Sequence, residues 1–236
     1  MRSNTYTLVF TSVVTIVLGI LLALASTALK DRQELNEEMD VKKHILHSLG
    51  ITPQKTWTST DIQSIFNQNI TGFVIDNSGI VVPGKKPEDL KPDVDIHLHP
   101  VFIKQSDGVI EGYAVPISGK GLWSTLYGYL AIEPNGKTVK GITFYKHGET
   151  PGLGGEVEKD WFQNNFVGKR FIDDQEKLVS IQIVKGKVDE TSSEAYHQVD
   201  GISGATMTGR GVTKFLKSNL EVYEPYFRKI RSGGGT

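Results

Sequence analysis

Residues 200–211, Asp-Gly-Ile-Ser-Gly-Ala-Thr-Met-Thr-Gly-Arg-Gly, set three hydroxyl side chains and four glycines just ahead of a helix-like stretch. A glycine-rich loop entering a helix leaves free N–H groups at the positive end of the helix dipole, an arrangement suited to phosphate. Ser203, Thr206 and Thr208 can add hydrogen bonds, or one of them can serve as a covalent attachment point. The stretch has no terminal Lys as a P-loop would, and it departs from the dinucleotide fingerprint. A flexible loop with a capped helix accounts for the same residues about as well, because Ser, Thr and Gly favour caps.

A second stretch, 147–157 (HGETPGLGGEV), follows a strand-like run. Its glycines and proline set turns and permit close approach of backbone to a ligand. Glu149 and Thr150 are its polar contacts and Leu153 its apolar one; an ordinary connecting loop is the equal alternative. In the third stretch, 119–132, Trp123 beside glycines offers a flat apolar surface, though such a Trp is more often half-buried core.

Other chemistries find less support. There is no cysteine, which removes disulfides, thiol catalysis and cysteine-ligated iron or zinc. His97 and His99 are spaced to share one strand face, but no third ligand has evident spacing, and a packed or solvent-facing pair is the better reading. No nucleophile–base constellation stands out, and Asp173-Asp174 and Glu156/Glu158 read as solvated charges. A net charge of -1, without basic runs, argues against nucleic acid.

The elements that must position these stretches begin with an uncharged run. Residues 3–29 carry no charge, and 8–29 are almost wholly apolar, long enough for a retained membrane span and longer than a signal-peptide core. Arg2 before it and Lys30 and Arg32 after it nearly balance, so charge leaves the orientation open. A polar helix continues over 31–49 and ends at Gly50, with Pro53 punctuating soon after. A short helix follows over 58–69, capped near Ser59 or Thr60.

Strand-like runs then occupy 70–76 and 79–82 around an Asn77-Ser78-Gly79 turn. A charged, proline-bearing loop covers 85–92. Four longer strand-like runs lie between 95 and 147, with Pro134-Asn135-Gly136 a strong hairpin signal between the last two. Helix-like spacing through Val157, Trp161, Phe162 and Phe166, a strand near 180–186, a polar connection over 185–197 and a final helix complete the chain. Strands neighbour strands with helices before and after, which is an α+β pattern with a mixed or antiparallel sheet.

Together these stretches resemble a known family. Residues 200–208 match the flavinylation signature of FMN-binding domains, Asp-Gly-x-Ser/Thr-Gly-Ala-Thr/Ser-x-Thr/Ser. HGETPGLG, GLWSTLYGYLA and the leading anchor resemble the NqrC family, the C subunits of sodium-translocating NADH:quinone reductases, over essentially the whole chain.

The resemblance implies one covalent FMN, phosphoester-linked to Thr208, with Thr206 as the alternative, installed by a separate flavin transferase that uses FAD. By the same analogy Glu149, Thr150, Gly152, Leu153 and Trp123 border the flavin ring. Ser203, Gly204 and Ala205 line its phosphate, and Asp200 serves the transferase or shapes the turn. It also implies residence in the bacterial inner membrane, with a cytoplasmic N-terminus and a periplasmic main domain. The implied organisation is an anchor (1–30), a juxtamembrane helix and linker (31–57), an FMN-binding domain (58–230) and a disordered tail (231–236). Partners would be membrane lipid and the other subunits of the reductase. Electrons would pass between an iron–sulfur centre and a second flavin on those subunits, without NADH binding here. Two readings stand beside it: the G subunit of the ion-translocating ferredoxin:NAD oxidoreductase complex, and a non-redox, membrane-anchored binding module. The long segment 31–95 and HGETPGLG favour the quinone reductase.

Overall fold

A helix of 45 residues leads the chain: α1 (Asn4–Ser48). The computed structural model describes residues 3–52, 56–91 and 94–234. Arg2 of the charge count, Pro53, Pro92 and the last two residues of the expected tail lie outside them. From Asn4 to Leu29 the side chains of α1 are uncharged and exposed, so this helix is long and apolar enough to cross a membrane.

Contacts divide the chain into Met1–Asp40 and Val41–Thr236. The last turns of α1 belong to the larger unit. Leu49, just past the helix end, lies four and three residues beyond Ile45 and Leu46, so the three share one side, and all are buried.

The larger unit is built on a five-stranded antiparallel sheet: β1 (Ile70–Asp76), β2 (Leu98–Ser106), β3 (Val109–Lys120), β4 (Thr125–Ile132) and β5 (Val139–Lys146). The spatial order follows the chain order, β1 to β5; short turns, which favour antiparallel neighbours, join β2 through β5, and the longer segment 77–97 connects β1 to β2. The expected hairpin at Asn135-Gly136 forms. The Asn135 side-chain oxygen accepts the amides of Lys137 and Thr138, both at 3.0 Å. The expected strand over 79–82 shrinks to a bridge between Ile75 and Val81, turned back by the Asp76 carboxylate, which binds the amides of Ser78 and Ile80.

Both faces of the sheet are covered, and alternation along β5 shows how. Ile142 and Phe144 point into the main core, where Phe144 meets Phe215 of the last helix, α4 (Thr206–Arg231). Thr143 points the other way, and its hydroxyl donates to the carbonyl of His44 near the end of α1. On that second side, α2 (Ser59–Asn69) brings Phe66 against Phe102. The N-cap of α2 is Thr58, one residue before the expected cap, because Asp61 completes a reciprocal capping box with it. Thr58→Ala is expected to destabilise the protein by about 1 kcal/mol, measurable as a lowered denaturant midpoint with an unchanged slope.

Three expectations near the C-terminus are corrected. First, the helix-like region after Gly155 is not one helix. It breaks into a 3₁₀ turn (Gly154–Glu158), the short α3 (Asp160–Gln163) and another 3₁₀ turn (Asn164–Phe166). On a single helix Val157 and Phe166 would lie roughly half a turn apart, yet both are fully buried, as is Phe162. A break at Lys159 turns all three inward.

Second, the strand near 180–186 is only β6 (Gln182–Ile183), which pairs in parallel with β7 (Gln198–Val199). Third, α4 starts at Thr206, so Met207 to Gly211 lie inside the helix rather than in a loop before it. Gly211 serves packing: a Cβ there would strike the carbonyl of Lys120, so glycine lets α4 lie against the end of β3. At its far end α4 runs through Arg231, the first residue of the expected disordered tail.

A candidate flavin-attachment site where three segments meet

The turn joining β3 to β4 points three backbone amides at one side chain. Leu122, Trp123 and Ser124 donate to the carboxylate of Glu149, at 3.3, 2.9 and 3.0 Å. Glu149 lies on the strap that leaves β5 and runs to the 3₁₀ turn at Gly154. Ser124 fastens the same strap through its hydroxyl oxygen, which accepts the amide of Gly148 at 2.6 Å. Glu149 is buried. Burial pushes its carboxyl upward, but hydrogen bonds from the Thr208 hydroxyl and from the amides of Ser124, Trp123 and Leu122 outweigh it, so its pKa lies below the usual glutamate value.

The third segment is the first turn of α4. Thr208 is 1% exposed, and its Oγ1 donates to Glu149 Oε2 at 2.7 Å. Gly154 closes the pair from the strap side: a Cβ on it would lie 2.5 Å from Thr208 Oγ1 and 2.7 Å from Glu149 Oε2. Three stretches far apart in sequence thus meet at one hydroxyl.

Thr206, the alternative attachment residue, is exposed instead, beside a groove lined by Ile183, Val184, Lys185 and Lys187. Ala205 is the N-cap of α4, and no side chain caps the helix, so the amides of its first turn keep their donor capacity. Ser203 and Gly204 are exposed and Ala205 is buried. Gly204, in the left-handed region at φ 73°, abuts Leu153.

Of the residues expected at the ring, Glu149 is joined to Thr208 directly. Trp123 takes part through its backbone, and the residue as a whole is 69% exposed. Leu153, Leu122 and Met207 are also exposed apolar groups on the same three segments. The Thr150 carbonyl accepts the amides of Leu153 and Gly155 and folds the strap, with Gly152 at φ 73°. Asp200 stands apart from the hydroxyl. Its carboxylate binds the amide of Val188 at 2.8 Å and Lys187 at 2.5 Å, so it shapes the neighbouring turn. Gly154 and the amide donors Leu122 and Ser124 were not singled out by sequence. Their part rests on backbone geometry, which leaves no mark on residue type. His97 and His99, the weighed metal pair, are bridged by the Asn77 side chain.

An apolar helix long enough to span a bilayer, followed by a sheet domain with a hydroxyl at an uncapped helix start, defines a class. Residues 121–221 match the FMN-binding domain family. The chain is 35% identical to the C subunit of the Na(+)-translocating NADH-quinone reductase of Pseudomonas aeruginosa, over 98% of both chains. It is 33% identical to the C subunit of the same enzyme from Neisseria meningitidis, over 97% of this chain and 95% of that one. The crystal structure of the Parabacteroides distasonis C subunit superposes with a TM-score of 0.73 at 31% identity, covering 84% of this chain and 96% of that one. Shewanella oneidensis NqrC gives 0.69 at 29% identity, covering 84% and 99%. The chain belongs to the NqrC family, the C subunits of the Na(+)-translocating NADH-quinone reductase.

The residues fit the flavin this family implies. Uncapped amides at the start of a 26-residue helix suit its phosphate, and exposed Trp123, Leu153 and Met207 offer apolar surface to its ring.

Proposed function

We propose that this protein is the electron-carrying subunit of a sodium-pumping NADH:quinone reductase, with one FMN joined through its phosphate to Thr208. The flavin supplies acceptance and donation of electrons; the chain supplies attachment, position and surroundings. The first-turn amides of α4, with Ser203, Gly204 and Ala205, bind the phosphate. Thr150, Gly152, Leu153 and Trp123 border the ring and leave an edge open to partner subunits. α1 anchors the chain in the inner membrane, with the N-terminus cytoplasmic and the domain periplasmic. Electrons pass between an iron–sulfur centre and a second flavin on neighbouring subunits, and NADH binds elsewhere in the complex.

The observation that carries this reading is the place of Thr208. The last hydroxyl of the signature lies in the first turn of an uncapped helix, within a chain alike to NqrC proteins along nearly its whole length. The test is intact-mass measurement of the full chain co-expressed with a flavin transferase. A gain of one FMN less one water, mapped to residues 203–210, is expected. A colourless chain of unaltered mass would refute the proposal.

A further inference from the structure

Thr208 offers its proton to one group, and that group is a carboxylate. Resting on the reading that Thr208 accepts the flavin phosphate, we propose that Glu149 takes the hydroxyl proton during attachment. In that step Thr208 Oγ1 attacks the phosphorus of the FMN half of a flavin dinucleotide. The Oγ1–P bond forms and the bond from that phosphorus to the bridging pyrophosphate oxygen breaks. AMP leaves with that oxygen, and the proton passes from Oγ1 to Glu149 Oε2 and on to water. Nothing is oxidised or reduced.

Three observations support the assignment. The 2.7 Å contact puts the acceptor on the proton that must leave, which is the geometric requirement for a base. The amides of Leu122, Trp123 and Ser124 fix the carboxylate in position, so the acceptor is aimed before any donor arrives. Gly154 packs beside the pair without a side chain, and any Cβ there would collide with both oxygens, so the glycine leaves the contact undisturbed. A carboxylate that receives the hydroxyl proton is an established device in phosphoryl transfer to alcohols. The contact is also incompatible with the product. An esterified Oγ1 has no proton to donate, and a phosphodiester anion is repelled by a carboxylate this close. Glu149 therefore acts on the unmodified hydroxyl and releases it once the bond is made.

The test is the initial rate of FMN incorporation into the full-length chain, in detergent, with purified transferase and FAD, read by intact mass and peptide mapping. Glu149→Gln keeps the shape and removes the proton acceptor. It is expected to slow incorporation at Thr208 by about 100-fold or more, while Glu149→Asp recovers part of the rate. A Gln variant within twofold of wild type overturns the proposal. If the Gln variant does not fold, Gly154→Ala decides. That change keeps both side chains but sets a methyl against the two oxygens, so they must part; a tenfold loss of rate supports the proposal and an unchanged rate overturns it. A wild-type chain that stays unmodified, with a transferase active on another acceptor, counts against the function itself. Normal wild-type modification with a fast Gln variant counts against Glu149 alone.

Discussion

Thr208→Ala is expected to give a folded chain that takes up no covalent FMN. The change removes the only atom through which the proposed ester can form at this position. The neighbouring hydroxyl is a poor substitute: Thr206 is two residues earlier, roughly 200° around the helix, exposed beside a groove with Lys185 and Lys187 and away from Glu149. The structural cost is modest. Glu149 loses the Thr208 hydroxyl but keeps the amides of Leu122, Trp123 and Ser124. A hydrogen bond to a charged group is worth about 1.5–3 kcal/mol, so a melting point lower by roughly 3–12 °C is expected for a domain of this size. Denaturing gels of co-expressed protein check the main outcome. Flavin fluorescence on the variant chain would exclude Thr208 as the sole site. A chain that fails to fold would mean that the contact with Glu149 matters more for stability than its remaining donors imply.

Arg231→Ala is expected to produce the largest loss of stability, with no direct effect on attachment. The guanidinium is 6% exposed and bonds Glu224 Oε1 at 2.6 Å, the carbonyl of Gly136 at 3.0 Å and Glu176 at 2.9 Å. It ties the end of α4 to the β4–β5 turn. Removing it leaves the buried Glu224 with Arg228, whose side chain is 70% exposed. Breaking a buried pair by deleting one partner typically costs about 3–5 kcal/mol, whereas replacing both partners by apolar groups of similar volume is often neutral. A fall in melting temperature on the order of 10 °C is expected for Arg231→Ala, with most of it recovered when Arg231→Met and Glu224→Met are combined. A single variant as stable as wild type would show that the pair contributes little. Flavin attachment at Thr208 should persist in any variant that stays folded, since 23 residues of helix, roughly 35 Å, separate the two sites.

Much of the frame was legible in advance. The uncharged run of α1 and the alternating runs of β1 to β5 carry their structure locally, because a span or a half-buried strand must repeat its own pattern. Asn135-Gly136 announces a hairpin for a similar reason: its turn chemistry is complete within four residues. Sequence failed where structure depends on distant surroundings. The glycines of 200–211 read as a loop, yet Gly211 belongs to α4 and is small because β3 passes beside it. Val157, Phe162 and Phe166 suggested one helix, but the core takes all three only if the chain breaks between them. Arg231 sat in a tail of glycines and polar residues, and its burial comes from partners at Glu224, Gly136 and Glu176.

By itself, then, the sequence determined the anchor-like helix, the strands, and a hydroxyl-rich signature with Thr208 as its last member. The tertiary structure alone decided that Thr208 is buried, that its proton points at Glu149, and that amides of the β3–β4 turn hold that carboxylate in place. The physical reason is reach. Periodicity and turn chemistry act between neighbours, whereas a hydrogen bond joining residues 59 positions apart exists only once sheet, strap and helix have packed together.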